Sequence, residues 1–303
     1  MESINIDQLA KKIGNELISH ELFSEDELII SINEAKLDLL NKYERPIALI
    51  QFIEDNGIKK DVLTTANIST TIGGAKSKKT FFSTILLASL LGCNDYAISG
   101  NLLGKKVIFF DTEQSHYHVQ RINYRINKLL GEVNNMEIFA LRPYTPEKRL
   151  AIVDYHLKNN AGNVSFVIID GIVDLLYDFN DIKESKRLST KLLEWSAIYK
   201  CHINTVLHTN KDKMNARGHL GTELMNKSET VFRVEKEDQD VSIVSNEMSR
   251  NEGFEKFRFK IESGIPKRCD FPLGYFDNKP KRNDLVNIAN DYSDIISSSI
   301  APF

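Results

Sequence analysis

The sequence predicts an α/β protein: a mostly parallel sheet flanked by helices, with an antiparallel extension toward the C-terminus. Three observations carry this. From Pro46 to His208, short β-rich runs alternate with helical runs, the pattern of a parallel sheet covered on both faces. After Val231, β-type runs follow one another across short turns. At Gly73–Thr80, a glycine-bearing turn joins a β-rich run to an apolar helical run, the junction at which α/β folds bind phosphate.

Taken in order, residues up to Tyr43 read as two amphipathic helices, with Ser24-Glu-Asp-Glu27 as a capping box opening the second. Glu44-Arg45-Pro46 breaks that pattern. Asn67–Ile72 is a strand and Phe81–Leu91 a helix. Val107–Phe110 is a short apolar strand, followed by a helix over Ser115–Leu130 and a strand over Met136–Leu141. Pro146 suits the first turn of a helix running to Asn159. Val164–Ile169 is a buried strand, Ile182–Lys200 a helix and Ile203–Leu207 another strand. Val231–Val234, Val241–Val244 and Phe257–Ile261 are the β-type runs of the extension. From Phe271 the chain is a polar tail with a short helix near Leu285–Ala289. The expected division is an N-terminal helical element over 1–45, a core over 46–268 and a tail over 269–303.

The 303 residues are 42% hydrophobic and 27% charged, which suits a globular chain with one large core. A formal net charge of −3 excludes a uniformly basic nucleic-acid coat, so any DNA contact must be a local patch. Cys93, Cys201 and Cys269 are isolated, with neither metal-ligand spacing nor a disulfide framework, and fit a reducing cytoplasm. Met1-Glu2-Ser3 does not begin a basic-then-apolar leader, and no apolar run approaches a membrane span. A cytoplasmic protein without membrane attachment is expected.

The stretch Gly73-Gly74-Ala75-Lys76-Ser77-Lys78-Lys79-Thr80 matches the phosphate-loop pattern of Gly, four residues, Gly, Lys, Ser or Thr, except that Lys78 replaces the second glycine. A turn of this kind gathers backbone N–H groups at a helix N-terminus, where the helix dipole favours anions. Lys79 is placed to reach the β- and γ-phosphates of ATP, and the Thr80 hydroxyl to hold Mg²⁺. A basic turn ahead of a buried helix is the competing reading.

Asp170 ends the Val164–Ile169 run, so its carboxylate points into the crevice at the C-terminal ends of the strands. After a phosphate loop, a carboxylate there holds the Mg²⁺ shell; the alternative is a cap on the following turn. Glu113 follows the Val107–Phe110 strand and can polarise an attacking water. Asp111 competes for that role, and either residue can cap the helix starting near Ser115. His208 lies just past Leu207, as a γ-phosphate sensor or as a partly exposed loop histidine. His116 and His118 are two apart, so they do not share a helix face and do not read as a metal pair.

In this order the pieces resemble the RecA-like P-loop ATPase superfamily: the phosphate loop, Glu113, Asp170, then Leu207-His208-Thr209-Asn210. The branch they look most like is that of the hexameric replicative and plasmid helicases. Stand-alone ATPases of this type occur on bacterial mobile genetic elements, and their loops often read Ala-Lys-Ser-basic-Lys-Thr, as Ala75–Thr80 does here. The resemblance runs from Ile47 to Lys267 and leaves both ends unexplained. Replicative helicases carry Lys-x-Arg-Asn-Gly on a late β-hairpin; the comparable stretch is Met248-Ser249-Arg250-Asn251-Glu252-Gly253. The resemblance therefore puts Arg250 at the arginine-finger position, acting on a neighbour's γ-phosphate, while Met248 replaces the lysine. It also places the segment from Asn210 to His219 near a central channel, where Lys211, Lys213 and Arg217 would contact DNA phosphates. That loop carries no aromatic residue to stack a base.

Together these imply a RecA-like ATPase that binds ATP and Mg²⁺ between subunits of a homo-oligomer, either a ring such as a hexamer or a filament. Hydrolysis would drive movement on single-stranded DNA or remodelling of a replication or mobilisation partner, with the N-terminal helices as a docking element. Two other readings stay open. One is an ATP-switched scaffold with little turnover, which Lys78 and Met248 favour; the other is a signalling or defence ATPase on the same core.

Overall fold

The computed structural model describes residues 23–54, 56–94, 96–210, 216–273 and 275. Chain contacts divide it into two units, Met1–Arg45 and Pro46–Phe303. In the first unit, α1 (Glu25–Ala35) opens on the expected capping box. Glu27 N donates to Ser24 Oγ at 3.2 Å, and Ser24 N donates to Glu27 Oε2 at 2.8 Å. None of its residues is buried, and Phe23, Ile29, Ile30, Ile32 and Leu40 are exposed. The first expected helix lies outside the described residues, as does the expected tail helix at Leu285–Ala289.

The second unit holds two sheets. The small one pairs β1 (Ala48–Ile53) antiparallel with β2 (Lys59–Thr64) on one side and β4 (Ile98–Gly100) on the other. This sheet was not anticipated: its strands are short, and β4 has only three residues ending in glycine. That glycine is needed, because a Cβ there would run into the backbone of Ser89 and Leu90 on the helix beneath.

The large sheet centres on β3 (Ile68–Gly73). On one side lie β8 (His202–His208), β7 (Val164–Asp170), β5 (Lys106–Asp111) and β6 (Met136–Ala140), in that order and all parallel to β3. On the other side β9 (Thr230–Lys236) is also parallel to β3, and β10 (Val241–Ser249), β11 (Phe257–Glu262) and β12 (Ile265–Cys269) continue antiparallel. The predicted fold class is therefore the observed one. β10 runs five residues beyond the expected Val244 and β12 was not expected; polar residues fill the second half of β10, and β12 carries Pro266 and three charged or sulfur-bearing positions at an edge.

Helices cover both faces. α2 (Lys79–Leu90) is apolar almost all round and buried accordingly, with α3 (His116–Leu130) beside it. Phe82 meets Phe232 at a centroid distance of 5.1 Å, and Phe52 meets Phe254 at 5.3 Å, joining the small sheet to this layer. The opposite face carries α4 (Pro146–Asn159), α5 (Ile182–Tyr199) and α6 (Gly218–Lys227), packed around the buried Trp195. Between the strands sits a buried polar network. His202 Nδ1–H donates to Thr64 O at 2.7 Å, and its Nε2 accepts from Ser69 Oγ at 2.8 Å. Burial pushes the imidazole down to about 4, so it is neutral in the folded protein. No helix among the described residues is long and apolar enough to cross a membrane.

Candidate active site

Strand register builds the site. Gly73 on β3 pairs with His208 on β8, and Asp111 on β5 pairs with Asp170 on β7. β3 and β8 therefore end level at Gly73 and His208, β5 and β7 end level at Asp111 and Asp170 two residues short of them, and all four open on one crevice at the C-terminal edge of the sheet.

The loop after β3 turns back tightly. Gly73 cannot carry a side chain: a Cβ would lie 2.6 Å from Ser77 Oγ and closer still to the Val234 carbonyl oxygen. Ser77 N donates to Gly74 O at 3.2 Å, and Ser242 Oγ on β10 donates to Ser77 O at 3.1 Å. Lys78 is the N-cap of α2, with φ 71° and ψ 32°. This left-handed conformation explains why the motif usually has glycine at this place. Here a lysine accepts it, and its Nζ reaches across to Asp240 Oδ1 at 3.1 Å.

Lys79 is buried, and its ammonium donates to Gly73 O at 2.9 Å, Gly74 O at 3.1 Å and His208 Nδ1 at 3.0 Å. Since an ammonium has no lone pair, His208 Nδ1 must accept, which leaves the ring proton on Nε2. Burial, then the charges of Lys79 and Arg217, push the His208 pKa down, consistent with a neutral ring. Burial also lowers Lys79 to about 8, against the pull of Asp170 and Glu113. The Thr80 hydroxyl donates to Asp170 Oδ2 at 2.9 Å. Burial lifts the Asp170 carboxyl to about 7, with the Asp111 charge adding to it. The Asp170–Gly171 peptide is cis.

The two acids at the end of β5 make different contacts. Asp111 is fully buried, and its Oδ1 accepts from Glu113 N at 3.0 Å and Gln114 N at 2.7 Å, while Oδ2 accepts from Gln114 Nε2 at 2.7 Å. Asp111 thus shapes the turn. Glu113 does not cap the helix, whose N-cap is Ser115. Its carboxylate lies over Gly171, where a Cβ would strike it, and stands 3.9 Å from His208 Nε2. Burial first, then Asp174 and Asp111, raise its pKa.

Three neighbours, Thr112, Asp174 and Arg149, escaped the sequence reading. Thr112 Oγ1 lies 2.8 Å from both Gly171 O and Asp174 Oδ2, tying the β5 turn to the 3₁₀ turn Ile172–Leu175. Arg149 on α4 donates to Leu141 O, Asp174 O and Arg142 O, fastening the loops after β6 and β7 together. The Asp170-Gly171-Ile172-Val173-Asp174 spacing was the available signal for Asp174; nothing in the sequence marked Arg149.

Of the remaining candidates, Arg250 lies apart from the crevice. Arg250 follows β10, whose Ser249 pairs with Thr230 at the start of β9, so it sits at the end of the sheet opposite its own phosphate loop. Its N donates to Glu229 O at 2.8 Å and its Nη2 to Lys227 O at 2.9 Å. Arg217 N donates to His208 O at 3.0 Å, but its guanidinium stacks 4.8 Å over the Phe179 ring. Lys211 and Lys213 lie outside the described residues.

An ATP–Mg²⁺ pair suits the donors present. The Lys79 ammonium is buried against carbonyls and an imidazole with no carboxylate in contact, and the buried Ser77 Oγ has no hydrogen-bond partner among the described residues. A paired hydroxyl and carboxylate, Thr80 and Asp170, stand beside them. No protein-family model and no curated protein matches this sequence. Among solved structures, the chain is similar to the crystal structure of the RadB recombinase, with a TM-score of 0.49 and 16% identity over 68% of this chain and 92% of that one.

Proposed function

We propose that the protein is a RecA-like P-loop ATPase that hydrolyses ATP as an oligomer acting on DNA. The observation carrying this is the convergence of Lys79, the Thr80–Asp170 pair and Glu113 on the crevice where the parallel strands end. Gly73–Thr80 would bind the phosphates, with Lys79 turning from its carbonyl partners to the β- and γ-oxygens. Thr80 and Asp170 would hold Mg²⁺, which neutralises phosphate charge. Glu113, positioned by the Asp111-ordered turn, orients and deprotonates the attacking water. His208 accepts from Lys79 and stands 3.9 Å from Glu113, a position from which it would sense whether the γ-position is filled. Arg250 is too far along the sheet to serve its own site, and its exposed position supports a role on a neighbour's phosphate.

The test is ATP binding and hydrolysis, with and without single-stranded DNA, for wild type, Lys79→Ala and Glu113→Gln. Lys79→Ala should abolish binding. Glu113→Gln should keep binding and lose turnover by about 10²–10⁴-fold. ATP binding with assembly but no turnover in the wild type would overturn the enzyme reading and leave the nucleotide-switched scaffold, which the lysine at position 78 favours.

A further inference from the structure

The helix that follows Glu113 carries a surface the reaction does not use. From His116 to Leu130 it has no Asp or Glu, in a chain whose net charge is −3. Val119, Ile122 and Ile126 face the core. On the opposite side, Tyr117, Arg121, Tyr124 and Lys128 recur at intervals of four, three and four, so they form one stripe along the axis. All four are exposed, with Tyr117 at 67% and Tyr124 at 54%. Lys128 Nζ lies 5.6 Å from the Tyr124 ring, and Arg121 reaches the turn at Gly264, whose carbonyl holds Arg125.

Beside the stripe lies a groove of about 400 Å³ between α3 and β6, the edge strand of the sheet. His116, Gln120 and Asn123 line one wall, and Met136 and Ile138 the other. The nearest acid on β6, Glu137, is tied to Lys106 and His156 rather than to the stripe. Two exposed aromatic rings alternate with two cations, beside a slot with amide groups and apolar walls and no acidic side chain.

We propose that this face of α3 binds single-stranded nucleic acid, with bases on Tyr117 and Tyr124 and phosphates on Arg121 and Lys128. The rings are two helical turns apart, about 10 Å, so each takes its own base while the backbone between them passes Arg121. Positive charge on a helix that itself carries no acid favours a polyanion over an ordinary protein surface. The aromatics absent from the 210–219 segment are thus supplied here. Because α3 begins immediately after the Glu113 turn, a strand held along the helix bears on the position of that carboxylate. This second part rests on reading the crevice as an ATPase site; the binding surface does not.

Fluorescence anisotropy of a labelled oligothymidylate, measured without ATP, tests the surface independently of the ATPase reading. Each Tyr→Ala change at 117 or 124 should weaken binding by about tenfold or more, while Tyr→Phe retains it. Arg121→Glu with Lys128→Glu should flatten the salt dependence by about 1.4 in log–log slope, the loss of two phosphate contacts on a single strand. Melting temperatures equal to wild type establish that the variants fold. Equal binding by wild type and the Tyr→Ala variants would overturn the proposal, as would no binding by the wild type at low salt. Loss of self-association in place of oligonucleotide binding would overturn it in favour of a protein interface. Lys79→Ala separates the two readings: it should bind the oligonucleotide like wild type even where ATP binding is lost, and weakened binding in it would overturn an α3 site independent of the crevice.

Discussion

Gly73 and Gly74 are adjacent, yet the structure gives them opposite sensitivities. A Cβ on Gly73 would sit 2.6 Å from Ser77 Oγ and 3.3 Å from the Val234 carbonyl carbon, against the 3.4 Å at which ordinary contact begins. Ser77 can rotate away. Val234 cannot, because it is backbone in β9, bonded to β3 and to β10. Relief therefore requires moving the end of β3, and overpacking of this kind costs about 1–3 kcal/mol. The same movement displaces the two carbonyls that hold the Lys79 ammonium. A Cβ on Gly74 has nothing within 4 Å, and Gly74 is not among the residues with positive φ. Gly74→Ala should therefore hold stability or raise it by about 0.4–1 kcal/mol through the unfolded chain. In thermal melts, Gly73→Ala should lower Tm by about 2–4 °C per kcal/mol lost, and turnover should fall by up to about 10²-fold from the misplaced cation. Wild-type melting and turnover in Gly73→Ala, or an equal loss in Gly74→Ala, would refute this account of the loop.

Three further outcomes follow from the geometry. Lys78→Gly relieves a left-handed residue worth about 1–2 kcal/mol but loses the Asp240 pair, about 0.2–1 kcal/mol, and adds glycine entropy, about 0.5–1 kcal/mol; urea unfolding should show little net change, whereas Lys78→Val should destabilise. His202, ordinarily near 6.5 and held at about 4 when folded, binds a proton in the unfolded chain first. Stability should therefore fall as pH drops from 6.5 toward 4, by on the order of 3 kcal/mol, and His202→Gln should remove that slope in denaturation curves taken across the window; an unchanged slope would rule the histidine out. Thr112→Val leaves Asp174 without its hydroxyl partner, so turnover should drop more than ATP affinity, read as a change in kcat at constant Kd.

Much of the core was legible because its signals are local. The β3–loop–α2 junction, the Asp170 strand and the Pro146 helix each announce themselves within a dozen residues, through a glycine, a terminal carboxylate or a proline at the first turn. At the end of β5, sequence left two acids undecided. Asp111 and Glu113 are chemically alike and two apart; only the hydrogen bonds from Glu113 N and Gln114 N to Asp111 separate the turn-former from the free carboxylate. The small sheet escaped because β4 is only three residues long and joins β1 from beyond α2, a pairing no short window contains. Arg149 escaped for a related reason, since its partners are carbonyls, which every residue has. The stripe on α3 could be read as helical spacing, but its exposure and the groove beside it belong to the packed molecule.

β10 touches both ends of this machinery. Near its start, Ser242 holds the Ser77 carbonyl and the adjoining Asp240 holds Lys78; past its end, Arg250 stands in solvent. Its nine residues span about 27 Å of hydrogen-bonded strand in the body of the sheet. Its pairing with β9 shifts register once, between Asn246 and Met248, and holds on either side. Any partner that grips Arg250 more firmly when the loop is filled must, by thermodynamic linkage, tighten the loop's hold on its ligand by the same factor. Assembly and nucleotide occupancy would then be two readouts of one free energy.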